Sequence, residues 1–219
     1  MEPSTSPEPA SPPPAGTNRP QSRRMRWMRE GFSIVGFALA LFAARSTLAD
    51  HYYVPTGSMI PSVEIGDRLI VNKLAYALRV PFSDLVVAKR RGPERGDVVV
   101  LRSPENGITL LKRVAAIPGD EVAVIEGRLW INEQPVPIAR QGEDLIERLG
   151  QSAHPVRLTA GGGPPFGPVH LGPDEYLMLG DNRGESHDGR SFGLVERKAI
   201  LGKALGVWMR DGHPGWHSL

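Results

Sequence analysis

The 219-residue chain contains no cysteine. That excludes thiol nucleophiles, thiolate metal sites and disulfide staples, and leaves either redox compartment open. Excess charge is nearly as scarce. The net charge is +2, and all of it sits in the first thirty residues, where Arg19, Arg23, Arg24, Arg26 and Arg29 outnumber Glu2, Glu8 and Glu30. No clustered basic face remains for a nucleic-acid backbone. The histidines His51, His154, His170, His187, His213 and His217 form no His-Glu-x-x-His or paired arrangement, which argues against a metal site. No serine lies in a Gly-x-Ser-x-Gly elbow, and no internal repeat is visible. Long hydrophobic runs are rare as well.

The one such run is Gly31–Ala44, fourteen residues without a charge. It makes about 21 Å of helix at ~1.5 Å per residue, short of the ~30 Å hydrocarbon core. Continuing through Arg45 to Ala49 brings it close to a span, with Arg45 near one end, where its stem can reach the headgroups. The arginines before it predict a single transmembrane helix with a cytoplasmic N-terminus and an exported C-terminal part. Two other readings compete: a buried core helix, and a cleavable signal ending at Thr-Leu-Ala before Asp50. A retained anchor is expected, because a candidate reactive turn follows within a few residues. Ahead of the run, Met1–Gln21 is rich in Pro, Ser and Ala with little to bury, and disorder is expected.

What the chain does have is turn formers, with 25 Gly and 21 Pro. They favour short strands over long helices. "DRLIVNKLAY", "GDVVVLRS", "GITLLKRVAAI", "DEVAVIEGRLWINEQPV" and "DEYLMLG" are apolar, β-branched runs punctuated by Gly-Asp, Pro-Gly-Asp and Glu-Gly-Arg turns. "VIEGRLWI" reads as a hairpin turning at Glu126-Gly127. With no αβ alternation, the expected fold is mainly β, an antiparallel sheet domain. Between Arg140 and Val169 the periodicity fades; "EDLIERLG" is compatible with one or two helical turns, and "TAGGGPPFGP" reads as a loop. "LVERKAILGKALGVWMR" fits helix or strand, with Gly202 and Gly206 weakening the helix.

Two residues stand out for chemistry. Ser58, in "VPTGSMIPS", follows Gly57 and lies between Pro55 and Pro61, so a rigid turn could present its hydroxyl beside its own N–H, a nucleophile next to an oxyanion donor. Lys112 lies in an apolar strand, on the face of Leu110 and Val114, while Arg113 shares the other face with Leu111. One of the two is therefore expected to point inward. An inward lysine is desolvated, which disfavours its charged form. Acting as a base near neutrality requires a fall from ~10.4 to roughly 7–8, about 4 kcal/mol of differential solvation. Taken singly, each has a bland reading: a turn serine, and a snorkelling surface lysine. Counting alone also allows a Ser-His-Asp triad, and "GESHDG" places those residues consecutively, but sequence neighbours project in different directions and a polar turn explains them.

Together the stretches are more specific. "VPTGSMIPSVEIGDRLIVNKLAY", "RGDVVVLRSP", "LLKRVAAIPGDEV" and "PDEYLMLGDNRGESHDGRSFGLV" resemble, in order, the sequence blocks of the type I signal peptidases, serine–lysine endopeptidases anchored in the membrane. The resemblance covers most of 54–195 and is loose over 135–170. It implies Ser58 as nucleophile and Lys112 as general base. Ser58 N–H and the Thr56 hydroxyl would form the oxyanion hole, with threonine standing where many members have serine. Ser186 would orient the Lys112 amine, and Asp188 and Arg190 would form a supporting ion pair. Tyr52, Val54, Met59, Val63, Leu110 and Leu111 are the implied walls of shallow pockets for an extended peptide with small residues, Ala-x-Ala, before the cut. No cofactor is implied. The implied partners are secretory preproteins, the lipid bilayer and, transiently, the export translocon.

The same reading divides the chain into a cytoplasmic tail (1–22), a basic flank and anchor (23–50) and an exported peptidase domain (51–219). A small variable β subdomain at about 121–172 would be inserted between the lysine strand and the Gly-Asp-Asn-Arg block. The rival functions are a specialised Ser-Lys processing peptidase, of pilus, conjugation or mitochondrial inner-membrane type, and a membrane-tethered β module that binds peptides without cutting them.

Overall fold

The computed structural model describes residues 49–79 and 85–219, together with helical positions 31, 33 and 35–37. The expected tail and most of the expected anchor lie outside the described residues. No helix among the described residues is long and apolar enough to cross a membrane. The chain divides into two units, Met1–Leu41 and Phe42–Leu219, and all the sheets belong to the second.

In chain order the strands are β1 (Ala49–Tyr53), β2 (Arg68–Asn72), β3 (Ala77–Arg79), β4 (Val86–Lys89), β5 (Val98–Arg102) and β6 (Thr109–Ala116). Next come β7 (Glu121–Ile125), β8 (Arg128–Ile131), β9 (Gln134–Pro135), β10 (Ile138–Gln141), β11 (Asp144–Leu149) and β12 (Ser152–Val156). The series ends with β13 (Phe166–His170), β14 (Glu175–Leu179), β15 (Val195–Glu196), β16 (Ile200–Arg210) and β17 (His213–Ser218). The main sheet runs β1-β2-β16-β5-β6-β14-β15, with β17 on β16, and its strand pairs are antiparallel. Between β6 and β14 the chain makes two smaller sheets, β13-β7-β8-β9 and β10-β11-β12.

The continuous apolar run of β5 has a direct structural cause. Val98, Val99, Val100 and Leu101 are all buried, because both faces of the sheet are covered at this strand. Val98 and Val100 join the cluster of Val54, Met59, Val63, Leu69 and Val207, while Val99 and Leu101 join that of Val114, Met178 and Ile200. At ~25 cal/mol per Å² of apolar surface removed from water, such side chains contribute about 1.5–3 kcal/mol each. The Glu126-Gly127 turn forms the expected hairpin, with both residues at positive φ and Val122 paired to Ile131. The stretch at 200–210 is strand throughout, carrying β2, β5 and β17 as partners.

Two expectations fail, the first being that "TAGGGPPFGP" is all loop, since β13 begins at Phe166 and pairs with β7. Second, Asp144–Leu149 is a strand and not a helical turn, paired with β10 on one side and β12 on the other. Its inward residues alternate as a strand requires, but the middle one is Glu147, wholly buried between Leu145 and Leu149. A charge at a core position erased the apolar alternation that would have revealed the strand.

Candidate active site

The loop between β1 and β2 begins as Val54 leaves the sheet and closes on itself at Asp67. Val54 N–H donates to Asp67 O at 3.0 Å, Gly66 N–H to Val54 O at 2.8 Å, and Glu64 N–H to Asp67 Oδ2 at 2.9 Å. Asp67 is fully buried and takes the Arg210 guanidinium through bonds of 3.0 and 2.7 Å. Paired carboxylate and guanidinium of this kind hold direction as well as charge. Within the closed loop, Ile60 N–H bonds Gly57 O and Val63 N–H bonds Met59 O, making a tight turn with Ser58 at its start.

Lys112 reaches this turn from β6. Its Nζ donates to Ser58 Oγ at 2.6 Å, across 54 positions of sequence. The side chain is only 3 % exposed. Burial pushes the ammonium down to about 8, against the pull of Asp188 and Asp181, which favour the charged form. Lys112 is thus poised to lose its proton close to neutrality, whereas Arg113 beside it cannot.

Arg113 is buried as well, which corrects the expectation that only one of the pair faces inward. With both sheet faces covered here, alternation no longer separates inside from outside. Arg113 donates to Asp181 at 2.8 and 2.7 Å, to Gly96 O at 2.7 Å and to Ser62 Oγ at 3.3 Å. Burial pushes the Asp181 carboxyl up, but the guanidinium outweighs it and holds the group below the usual carboxylate range.

The loop after β14 closes the site. Asn182 N–H donates to Ser58 O at 3.1 Å and Asn182 Nδ2 to Gly57 O at 3.2 Å. Gly180 lies where any side chain would strike Ser186 Oγ and the Ser58 carbonyl, so close backbone approach requires glycine there. Asp188 caps the short helix Gly189–Phe192, accepting from Arg190 N–H at 3.2 Å and from Gly180 N–H at 3.0 Å. The same carboxylate takes Arg190 Nε at 2.8 Å and Nη2 at 2.9 Å, with both side chains fully buried. Arg190 also donates to Gly162 O, and Gly162 presses its α-carbon against the Glu126-Gly127 peptide. The triple glycine that reads as a loop in sequence is a packing joint.

Ser186 is buried, yet its hydroxyl has no hydrogen-bond partner among the described residues, so the bond expected from it to Lys112 is not made here. Thr56 is exposed on the rim next to Ser58. Beside Ser58 and Lys112 is a groove of about 180 Å³, open to solvent and lined mainly by carbon. Of the six expected wall residues, Tyr52, Val54, Met59, Leu110 and Leu111 line it. Val63 does not: it is wholly buried in the core behind Met59, its backbone bond to Met59 O turning it away from the groove. Leu69, Val100 and Ile108 line the groove instead. Their signal in sequence was only that of core strands. Among the described residues no group of three His, Asp or Glu side chains is arranged to hold a metal ion.

The Ser58 hydroxyl and the buried Lys112 amine thus meet beside a solvent-open groove with mainly apolar walls. Comparison with known proteins identifies the family. Residues 24–209 match the signal peptidase, peptidase S26 family. A signal peptidase I of Pseudomonas aeruginosa is 35 % identical, over 86 % of this chain and 75 % of its own. A probable signal peptidase I-2 of Synechocystis is 32 % identical over 82 % and 72 %, and a signal peptidase I of Leptolyngbya laminosa is 32 % identical over 92 % and 89 %. The chain belongs to the signal peptidase family, peptidase S26, and is an enzyme of that family.

Proposed function

We propose that the protein is a membrane-bound serine endopeptidase that removes N-terminal signal peptides from exported preproteins. The observation that carries the reading is the 2.6 Å contact between Lys112 Nζ and Ser58 Oγ at the floor of the apolar groove. Neutral Lys112 takes the Ser58 proton as Oγ attacks the scissile carbonyl. The oxyanion is held by the Ser58 N–H, which has no acceptor among the described residues, and by the Thr56 hydroxyl on the rim. The Lys112 ammonium returns its proton to the departing amine, the mature protein leaves, and water activated by the same amine releases the signal peptide from the serine. Ser186, with a buried and unspent hydroxyl, is assigned to steady the amine through these transfers. The Asp188–Arg190 pair fixes the loop that carries it.

The substrate lies extended in the groove between the Ser58 turn and the β6 segment Thr109–Leu111, as an added strand. Shallow apolar walls then favour small side chains at the two alternate positions before the cut, an Ala-x-Ala pattern. The run Gly31–Ala49 serves as the anchor, with the tail at 1–22 on the cytoplasmic side and the sheet domain outside. A signal peptide is itself an apolar helix whose cut site emerges at the bilayer edge, and a nucleophile nine positions after Ala49 waits at that depth. Confinement to one surface raises the effective concentration of both partners. Lipid and, transiently, the export translocon are the remaining partners.

The test is incubation of the full chain in detergent with a preprotein whose signal ends Ala-x-Ala, the products read by mass spectrometry. Cleavage after the second alanine, lost in Ser58→Ala and in Lys112→Ala, is expected. Undiminished cleavage by either variant would overturn the reading.

A further inference from the structure

Asn182 grips the nucleophile turn through both its backbone and its side chain, so whatever fixes Asn182 also fixes Ser58. On one side it is held by Asp181, which is tied to Arg113. On the other stands Arg183, only 1 % exposed. Arg183 donates through Nε to Gly180 O at 3.1 Å and through Nη1 to Gly127 O at 2.7 Å. Its remaining contacts go to one carboxylate, Nη1 to Glu147 Oε1 at 3.0 Å and Nη2 to Glu147 Oε2 at 2.5 Å. Glu147 is not part of the main sheet. It lies in the middle of β11, in the three-stranded sheet that reads so poorly in sequence.

Burial alone would push the Glu147 carboxyl up, but Arg183 and His154 outweigh it and hold the group at about 2. His154, opposite Glu147 in the β11–β12 register, stands between two carboxylates, 3.3 Å from Glu147 Oε2 and 3.8 Å from Asp181 Oδ1. Stability does not require this arrangement, since well-packed apolar residues of similar volume often replace a buried ion pair at no loss. What an apolar pair cannot supply is direction. A guanidinium gripped at both nitrogens by one carboxylate has a single orientation, and here that orientation sets the peptide adjoining Asn182.

We infer that Glu147 is a positioning residue for the Ser58–Lys112 pair, acting through Arg183 and Asn182 on the Ser58 carbonyl. The inserted sheet is thereby a buttress of the reaction centre. This inference rests on Ser58 and Lys112 being the reacting groups, as proposed above.

Two variants of the full chain test it, Glu147→Gln and the paired replacement Glu147→Leu with Arg183→Met, the second removing both charges together. Folding is followed by circular dichroism and thermal melting, and kcat and KM are measured on a preprotein substrate well below the melting onset. A displaced nucleophile costs rate more than binding, so kcat is expected to fall about 10- to 100-fold with KM changed less than about threefold. A folded variant retaining parental kcat overturns the inference. So does failure of both variants to fold, or a loss fully matched by the unfolded fraction, either of which assigns Glu147 to folding alone. Ser58→Ala measured alongside separates the two readings: activity in that variant would sink the dyad, whatever Glu147 does.

Discussion

Lys112 and Arg113 are consecutive on one strand, both buried, and they serve different partners. Lys112 Nζ meets the Ser58 hydroxyl at 2.6 Å, while Arg113 is spent on Asp181, Gly96 O and Ser62. The division follows from acidity. The amine can give up its proton under burial and the guanidinium cannot, so the first suits transfer and the second suits structure.

Lys112→Arg is therefore expected to be as inactive as Lys112→Ala, with turnover at least about a thousandfold below the parent, in the range lost when a nucleophile's base is removed. Steady-state cleavage of a preprotein by both variants checks this. An active Lys112→Arg would show that positive charge, and not proton removal, is what the site needs.

Burial makes the folded protein bind the Lys112 proton less tightly than the unfolded chain does, about 8 against the ordinary 10.5. Between those values the unfolded state holds more protons, so stability contributed at this site rises with pH; below about 8 the buried charge is carried at a cost. The stability difference between parent and Lys112→Met should accordingly move toward the parent by on the order of 2–3 kcal/mol between pH 7 and 10.5. Urea denaturation of both proteins at the two pH values measures it. A pH-independent difference would show that Lys112 titrates alike in both states.

Asp188 favours the charged form of Lys112 and pairs with buried Arg190. Asp188→Asn is expected to destabilise the fold by about 3–5 kcal/mol, the cost of stranding a buried charge. In the fraction that remains folded, the rising limb of kcat/KM should shift to lower pH, because a group that held the proton on Lys112 is gone. A shift to higher pH would contradict that electrostatic assignment.

Gly180→Ala places a methyl against Ser186 Oγ and the Ser58 carbonyl. Overpacking at such a site costs about 1–3 kcal/mol, and here it also moves the nucleophile turn, so kcat should fall further than stability. Thermal melting compared with kcat at a temperature where the variant is folded decides this. Gly57→Ala is the contrast, since its added methyl meets chiefly the flexible end of Ile60, and it should be the milder of the two.

Much of the sheet was legible because its strands are apolar and bounded by turn glycines: β5 as an unbroken run, and β7–β8 as a hairpin about Glu126-Gly127. The segments that misled are those where function or topology places charge inside. Glu147 in β11 and Arg113 in β6 occupy core positions, so alternation of apolar and polar residues does not mark them. Ser58 and Lys112 could be singled out one by one only weakly, and it was their occurrence in ordered blocks that joined them. Nothing local in the sequence reveals that Asn182 holds Gly57 and Ser58, because that contact spans 125 positions. Val63 is ambiguous in sequence for a related reason: its apolar character suits a pocket wall and a core equally, and in the fold it lies in the core.

The proposed reaction requires Lys112 to be kept ready to be neutral beside Ser58. Nuclear magnetic resonance titration of lysine labelled at Cε, in the full chain in detergent, reads that directly, with the Lys112 signal identified by its absence in Lys112→Arg. A midpoint near 8 is the predicted result. A midpoint at the ordinary lysine value, near 10.4, would contradict the account.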